Sequence, residues 1–257
     1  MIDAAVSMGV FAVEGSLRYE LAVPDVEAAK QIREYADMNN VIFPCFSMYV
    51  DLSKEDFRER IGFVKKYAEI ASILGSPYLH HTVIPEFMDP DAILREKDLL
   101  FKKGIDAVRE IYDHAGQYGI KAVYEDQGFI FNGTEGFGRF LDEVQRDVGV
   151  VADLGNIYQT GCLPENFIKA FAARICHVHI KDMLITGDNS DGKGYPCITG
   201  GFVKEVPIGS GAVNFRKCFS LLKSAGYGGY YSIEWGAKDK GEWLSVIENG
   251  EWIIGDN

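Results

Sequence analysis

Four short runs decide how this chain is read: KAVYEDQ (121–127), VGVVADLG (148–155), ICHVHIKD (175–182) and YYSIEWG (230–236). Each is β-rich, and each carries an ionisable side chain near its C-terminal end. Working outward, three similar runs precede them: VFAVEGS (10–16), VIFPCFS (41–47) and PYLHHTV (77–83). Long helical patterns lie between the runs. Strand and helix alternating at this spacing imply parallel strands joined by right-handed crossovers. The expected fold is α/β, a closed (β/α)8-type barrel spread over one domain, 1–257. Seven runs leave its first strand absent or replaced. Residues 1–8 read as a helix, and the tail GEWLSVIENGEWIIGDN is a candidate for the replacing element. The rival is a doubly wound open sheet, which binds at one crevice where strand order reverses. Polar residues ending many successive strands favour the barrel.

Helix starts are expected at Pro24, at Ser53 with Asp56 three residues on, at Asp89-Pro90, at Pro164 and at Asn214. Gly75, Gly119 and Gly226 stand where helices should end.

Side chains alternate across a strand, and the C-terminal strand ends of a parallel barrel surround one mouth. That period places Val123 with Glu125 and Val151 with Asp153. It groups His177, His179 and Lys181, and pairs Ser232 with Glu234. Four consecutive strands therefore send ionisable groups the same way. Three carboxylates and an imidazole in a poorly hydrated mouth are costly unless a cation compensates them. Glu125, Asp153, His179 and Glu234 are the expected ligands of one divalent metal ion. Their oxygen-rich donor set suits Mn²⁺, Mg²⁺ or Co²⁺, with Zn²⁺ a further option.

The formal net charge of -12 argues against nucleic acid, whose phosphates need neutralising Lys and Arg. No apolar run approaches the ~20 residues of a membrane helix. The N-terminus has no basic stretch before its apolar residues and does not read as a signal peptide. Five scattered cysteines without a CxxC pair read as reduced thiols, so a soluble cytoplasmic protein is expected. An exposed strand edge leaves room for a homo-oligomer. Neither GxGxxG nor GxxxxGK[ST] occurs, which removes the usual nucleotide signatures.

The segments VYED (123–126), VADLGN (151–156), CHVHIKD (176–182), VPIGSGAVNF (206–215) and YYSIEWG (230–236) resemble, in order, those of the xylose isomerase-like TIM barrel family of sugar and sugar-phosphate isomerases and epimerases. The resemblance implies a divalent ion, commonly manganese, on Glu125, Asp153, His179 and Glu234. It also implies catalytic roles for Glu125 and Glu234, as in related ketose 3-epimerases. One glutamate takes a proton from the carbon beside the carbonyl, and the other returns it from the far face through an enediolate. Related epimerases often carry His three residues after the Asp ligand, and Asn156 stands there here.

Further residues expected to touch or support a small carbohydrate are Glu14, His80, Asn156, His177 and Lys181. His80 is favoured over His81 as the inward residue. His177 is expected to lie deeper, as support for the ligands. Lys181 either stabilises an oxyanion or pairs with a glutamate, and Asp182 orients the loop that follows. Met183 to Gly209 reads as a polar, glycine-rich loop over the mouth, with Lys193 and Lys204 able to reach a phosphate. GSG (209–211) offers backbone N–H groups to an anion or makes a tight turn. Three other functions stay open: an inosose-type keto-polyol dehydratase on the same site, a non-enzymatic barrel, and a disfavoured metal-dependent abasic-site endonuclease.

Overall fold

The computed structural model describes residues 1–85, 91, 95–236 and 240–248. Seven parallel strands carry the architecture: β1 (Gly15–Arg18), β2 (Phe46–Tyr49), β3 (Tyr78–His81), β4 (Lys121–Glu125), β5 (Gly149–Asp153), β6 (Ile175–Ile180) and β10 (Tyr231–Ile233). Their order is β1-β2-β3-β4-β5-β6-β10, each strand beside its predecessor in the chain. Sequential order without reversal has no switch point, so the doubly wound alternative is excluded. This is the strand order of a (β/α)8-type fold with one strand fewer.

The first two strands start later than their sequence runs. Before Gly15 and Phe46 the ladder amounts to one parallel bridge, Ala12 to Ile42. Pro44 interrupts the second run, and proline has no N–H to give a ladder. Pairing proper begins at Gly15 with Phe46.

Among described residues the chain divides into two compact units. The first comprises 1–85, 96–125 and 138–149. It holds β1 to β4 with α1 (Ile2–Val6), α2 (Val26–Met38), α3 (Phe57–Ile73) and α4 (Lys97–Ala115). Asp25 caps α2 by accepting the Ala28 N–H at 3.0 Å, so Pro24 lies just outside the helix. Asp56, not Ser53, takes the cap position of α3. Ile61, Val64, Ala68 and Ala71 form the buried stripe of α3, at the three- and four-residue spacing of one helix face. This helix packs on β3, as α4 packs on β4. Gly75 leaves α3 at φ 73°, and a Cβ there would sit 2.6 Å from Arg33 Nη1. Asp89-Pro90 lies outside the described residues.

The second unit, 91, 95, 126–137, 150–236 and 240–248, holds most of β5 with β6, β10, α6 (Pro164–Phe171), α7 (Phe215–Ser224) and α8 (Lys240–Glu248). Helix α5 (Thr134–Val144) begins in it. Pro164 opens α6, and Asn214 caps α7 by accepting the Lys217 N–H at 3.1 Å. Phe137 and Phe167 meet at 5.1 Å between centroids in its core.

The expected loop from Met183 to Gly209 instead contains a small sheet. Strands β7 (Asp182–Thr186), β8 (Tyr195–Pro196) and β9 (Phe202–Val206) form an antiparallel sheet in the order β7-β9-β8. The longer stretches between and after these strands remain loop.

Candidate metal centre

Strand register brings the ligand candidates level. Asp153 on β5 pairs with His179 on β6, and His179 pairs with Ser232 on β10. Glu234 lies just past β10, and its N–H donates to the Ile180 carbonyl at 3.0 Å. Glu125 ends β4 and runs directly into Asp126, whose Oδ1 accepts the Asp153 N–H at 3.0 Å. Asp153, His179 and Glu234, all in the second unit, each offer one ligand atom, and these atoms lie within 4.8 Å of one another.

Asp153 is 1% exposed and divides its oxygens. Oδ1 accepts the N–H groups of Gly155 and Asn156, at 2.8 and 2.9 Å. Oδ2 lies 3.0 Å from Lys181 Nζ. The same ammonium is 3.0 Å from Glu234 Oε1, and His179 Nδ1 is 3.2 Å from Glu234 Oε2. Surrounding protein desolvates the Glu234 carboxyl and pushes its pKa up. The Lys181 charge and the His179 hydrogen bond outweigh that and hold it well below the usual carboxylate range. Gly155 makes room for Lys181, since a Cβ there would lie 3.0 Å from its Cγ.

Buried carboxylates need a cation beside them. In this arrangement the chain supplies one itself, the Lys181 ammonium between two of the candidate ligands. The two carboxylates and the imidazole of Asp153, Glu234 and His179 also match the oxygen-rich, one-nitrogen donor set that hard and borderline divalent ions take. The residues present therefore fit such an ion.

The other expected site residues fall as follows. His177, 1% exposed, has its Nε2 2.9 Å from Ser232 Oγ, which locks it between β6 and β10. Asn156 Oδ1 accepts from Lys181 Nζ at 3.3 Å, while its buried Nδ2 has no hydrogen-bond partner. His80 is buried, with Nε2 3.8 Å from Glu125 Oε1. Glu14 precedes β1 and accepts a hydrogen bond from Ser47. His81 faces the other way, between the Thr82 carbonyl and the Tyr124 hydroxyl, each at 2.9 Å. Burial pushes its imidazole down to about 3, against the pull of the Thr82 bond.

Two anion-site expectations are redirected. Asp182 accepts the N–H groups of Met183, Gly209, Gly211 and Val213 at 2.8–3.2 Å. The GSG amides of Gly209 and Gly211 are thus spent on an internal carboxylate, and Asp182 orients the loop after β9. Lys204 Nζ pairs with Asp191 at 2.7 Å. Ser47 and Asp126 had no signal in sequence, because each acts through a neighbour that only the folded register supplies.

A family model described as Xylose isomerase-like TIM barrel matches residues 2–253. The chain belongs to the xylose isomerase-like TIM barrel family. Within the family, it is 30% identical over 106 residues to a putative L-ribulose-5-phosphate 3-epimerase of Haemophilus influenzae, covering 41% of this chain and 34% of that protein. It is 29% identical over 144 residues to an inosose dehydratase of Geobacillus thermodenitrificans, covering 54% and 47%. The matched stretch thus spans roughly a third to a half of these curated relatives. A xylose isomerase domain protein from Planctomyces limnophilus shares the fold at TM-score 0.78 and 19% identity, over 98% of this chain and 93% of its own. This xylose isomerase-like TIM barrel is accordingly related to sugar epimerases and dehydratases, and it carries a cluster able to hold a metal. Among described residues, no helix is long and apolar enough to cross a membrane.

Proposed function

We propose that the chain is a divalent-metal-dependent isomerase or epimerase of a small ketose or sugar phosphate. The observation that carries this reading is the meeting of Asp153, His179 and Glu234, whose ligand atoms lie within 4.8 Å of one another with a lysine ammonium drawn between two of them; the proposal adds Glu125, at the end of β4, as the fourth ligand. These four residues would hold the ion, Mn²⁺ first among Mn²⁺, Mg²⁺, Co²⁺ and Zn²⁺. When bound, the ion supplies Lewis acidity to the carbonyl and adjacent hydroxyl oxygens of the substrate.

The chain's own residues do the rest. Glu125 and Glu234 are the proton-transfer pair. Glu234 is held ionised, so it is ready to accept a proton at neutral pH. A carboxylate is a weak base, and it works here on a C–H made acidic by the neighbouring carbonyl, with the pair of glutamates passing through an enediolate. Lys181 donates toward the developing oxyanion, and the buried Nδ2 of Asn156 toward a substrate hydroxyl. Asp153, fixed by two backbone N–H groups, does not move. The protein acts as a cytoplasmic enzyme of carbohydrate metabolism, without nucleic-acid or membrane partners.

The test is hydrogen exchange. Metal-replete protein incubated with ketoses and sugar phosphates in D₂O incorporates deuterium beside the carbonyl. Glu125→Gln and Glu234→Gln each lower the rate by about 10²–10⁴-fold, the usual weight of a general acid or base. Normal exchange in either variant refutes the two-glutamate mechanism. A second reading, dehydration of an inosose-like keto-polyol, is favoured by the longer match to the dehydratase. Mass spectrometry separates the two, since only dehydration loses water.

A further inference from the structure

In the first unit, Arg33, Arg58, Arg60, Arg109, Arg139 and Arg146 each pair with an Asp or Glu carboxylate. Arg18 is the exception. Among the described residues no carboxylate pairs with it, and it stands exposed at the last position of β1. Its guanidinium carbon lies 4.6 Å from the ring centroid of Tyr49, its register partner on β2. Stacking on a ring engages the flat face of the guanidinium and leaves its N–H edge for an acceptor.

Register fixes where that edge stands. Ser47 is level with His80, and His80 with Val123. Two residues further along their strands come Tyr49 and Glu125, so Arg18, Tyr49 and Glu125 count to one level of the sheet. Tyr49 and Glu125 also share a face. Ser47 Oγ is 3.0 Å from His80 Nδ1, His80 Nε2 is 3.8 Å from Glu125 Oε1, and alternation puts Tyr49 on the face of Ser47. Three strand spacings separate β1 from β4, roughly 14 Å along the sheet. A small phosphorylated sugar and the two side chains can bridge that distance.

We propose that Arg18 binds a phosphate group, and hence that the substrate is a sugar phosphate, with its reacting carbon at Glu125 and its phosphate at the end of β1. A guanidinium offers paired N–H donors in the fork that phosphate oxygens match, and a phosphate ester carries a charge of about −1.5 to −2 at neutral pH. On a chain of net charge -12, an anionic substrate needs a local cation of this kind. An inosose-like keto-polyol has no anion to offer it. The place of the reacting carbon rests on the function proposed above, whereas phosphate binding at Arg18 does not.

The experiment uses the full chain, ¹⁵N-labelled and supplied with Mg²⁺, and matched pairs of pentuloses and hexuloses with and without a terminal phosphate. Side-chain Nε–H spectra follow Arg18, assigned by Arg18→Met, which keeps an unbranched apolar stem and removes the charge. Wild type is expected to bind the phosphorylated member of at least one pair about tenfold or more tightly than the free sugar, the weight of one charge-assisted hydrogen bond, and the Arg18 signal shifts on binding. Arg18→Met binds the two members alike. Arg18→Lys, which keeps the charge without the fork, recovers part of the preference. Arg216→Met removes an exposed arginine of α7 and keeps the full preference, which separates a local contact from net charge. No preference for any phosphorylated sugar in wild type, or a preference that survives in Arg18→Met, overturns the proposal. Phosphate binding through Arg18 without deuterium exchange overturns the functional reading alone. Exchange equally fast with free and phosphorylated sugars, and unchanged in Arg18→Met, overturns this inference alone.

Discussion

Lys181 and a bound cation answer the same need, and replacing the lysine separates them. Lys181→Met keeps an unbranched apolar stem and removes the charge. The ammonium is 3.0 Å from both Asp153 Oδ2 and Glu234 Oε1. At an effective dielectric near ~20, each contact is worth about 5 kcal/mol gross, most of it offset by desolvation. Removing one partner of a buried pair costs about 3–5 kcal/mol. The Glu234 side chain is 50% exposed, so solvent screens its share, and Asp153, with none of its side chain exposed, carries most of the loss. The metal-free variant is therefore expected to lose about 3 kcal/mol. With a divalent ion present, the ion compensates the same carboxylates and the loss shrinks. By linkage, whatever stability the ion restores appears as tighter binding, tenfold for each ~1.4 kcal/mol. Lys181→Met should bind Mn²⁺ at least about tenfold more tightly than wild type. Urea unfolding with chelator and with Mn²⁺, together with titration calorimetry, measures both legs. Weaker or equal metal binding, or an equal stability loss in the two conditions, would show that Lys181 does not occupy the place of the ion.

Two further outcomes test the frame around the site. Asp182→Ala strips four backbone N–H groups of their acceptor and should cost about 2–4 kcal/mol, with faster amide exchange at Gly209, Gly211 and Val213. Gly211→Ala should damage the same loop by about 1–3 kcal/mol, because its Cβ would fall 2.2 Å from Asp182 Oδ1. His81 stays neutral in the folded protein down to about 3, whereas the unfolded chain takes up a proton below its ordinary 6.5. Stability is then complete above that value and falls by up to about 1.4 kcal/mol per pH unit as pH drops toward 3. Urea midpoints across this range should show a shallower slope in His81→Gln than in wild type.

Much of the fold was legible because period-two alternation and helix spacing are local. The strands β3 to β6 and β10 fall inside their sequence runs, and Asn214 caps where expected. Misreadings arose where local patterns compete. VIFPCFS looks like a strand until Pro44 removes an N–H from its middle, and pairing moves on to Phe46. The stretch after Asp182 is polar and glycine-rich, the composition of a loop, yet β7 finds its partner in β9 about twenty residues later. Nothing in a local window marks that pairing. Ser47 was illegible for a similar reason. A serine on a strand carries no signal until β2 and β3 align it with His80.

Alternation says which side chains a strand offers, while register says which of them meet, and one slip decides the second question at the heart of the site. Val150 pairs with Ile175. Continued without interruption, that register would set Asp153 opposite Val178, a residue on the wrong face of β6. The register instead shifts between Val150 and Val151, so Val151 meets His177 and Asp153 meets His179. Cys176 is the extra residue, and its thiol donates to the Val150 carbonyl at 3.6 Å, at the point of the slip. A bulge of this kind re-aims every side chain beyond it. Here it turns two carboxylate- and imidazole-bearing strands, each correctly patterned alone, into a pair whose polar groups share one level. The convergence of Asp153 and His179 is thus a property of the irregular residue between them as much as of the ligands themselves.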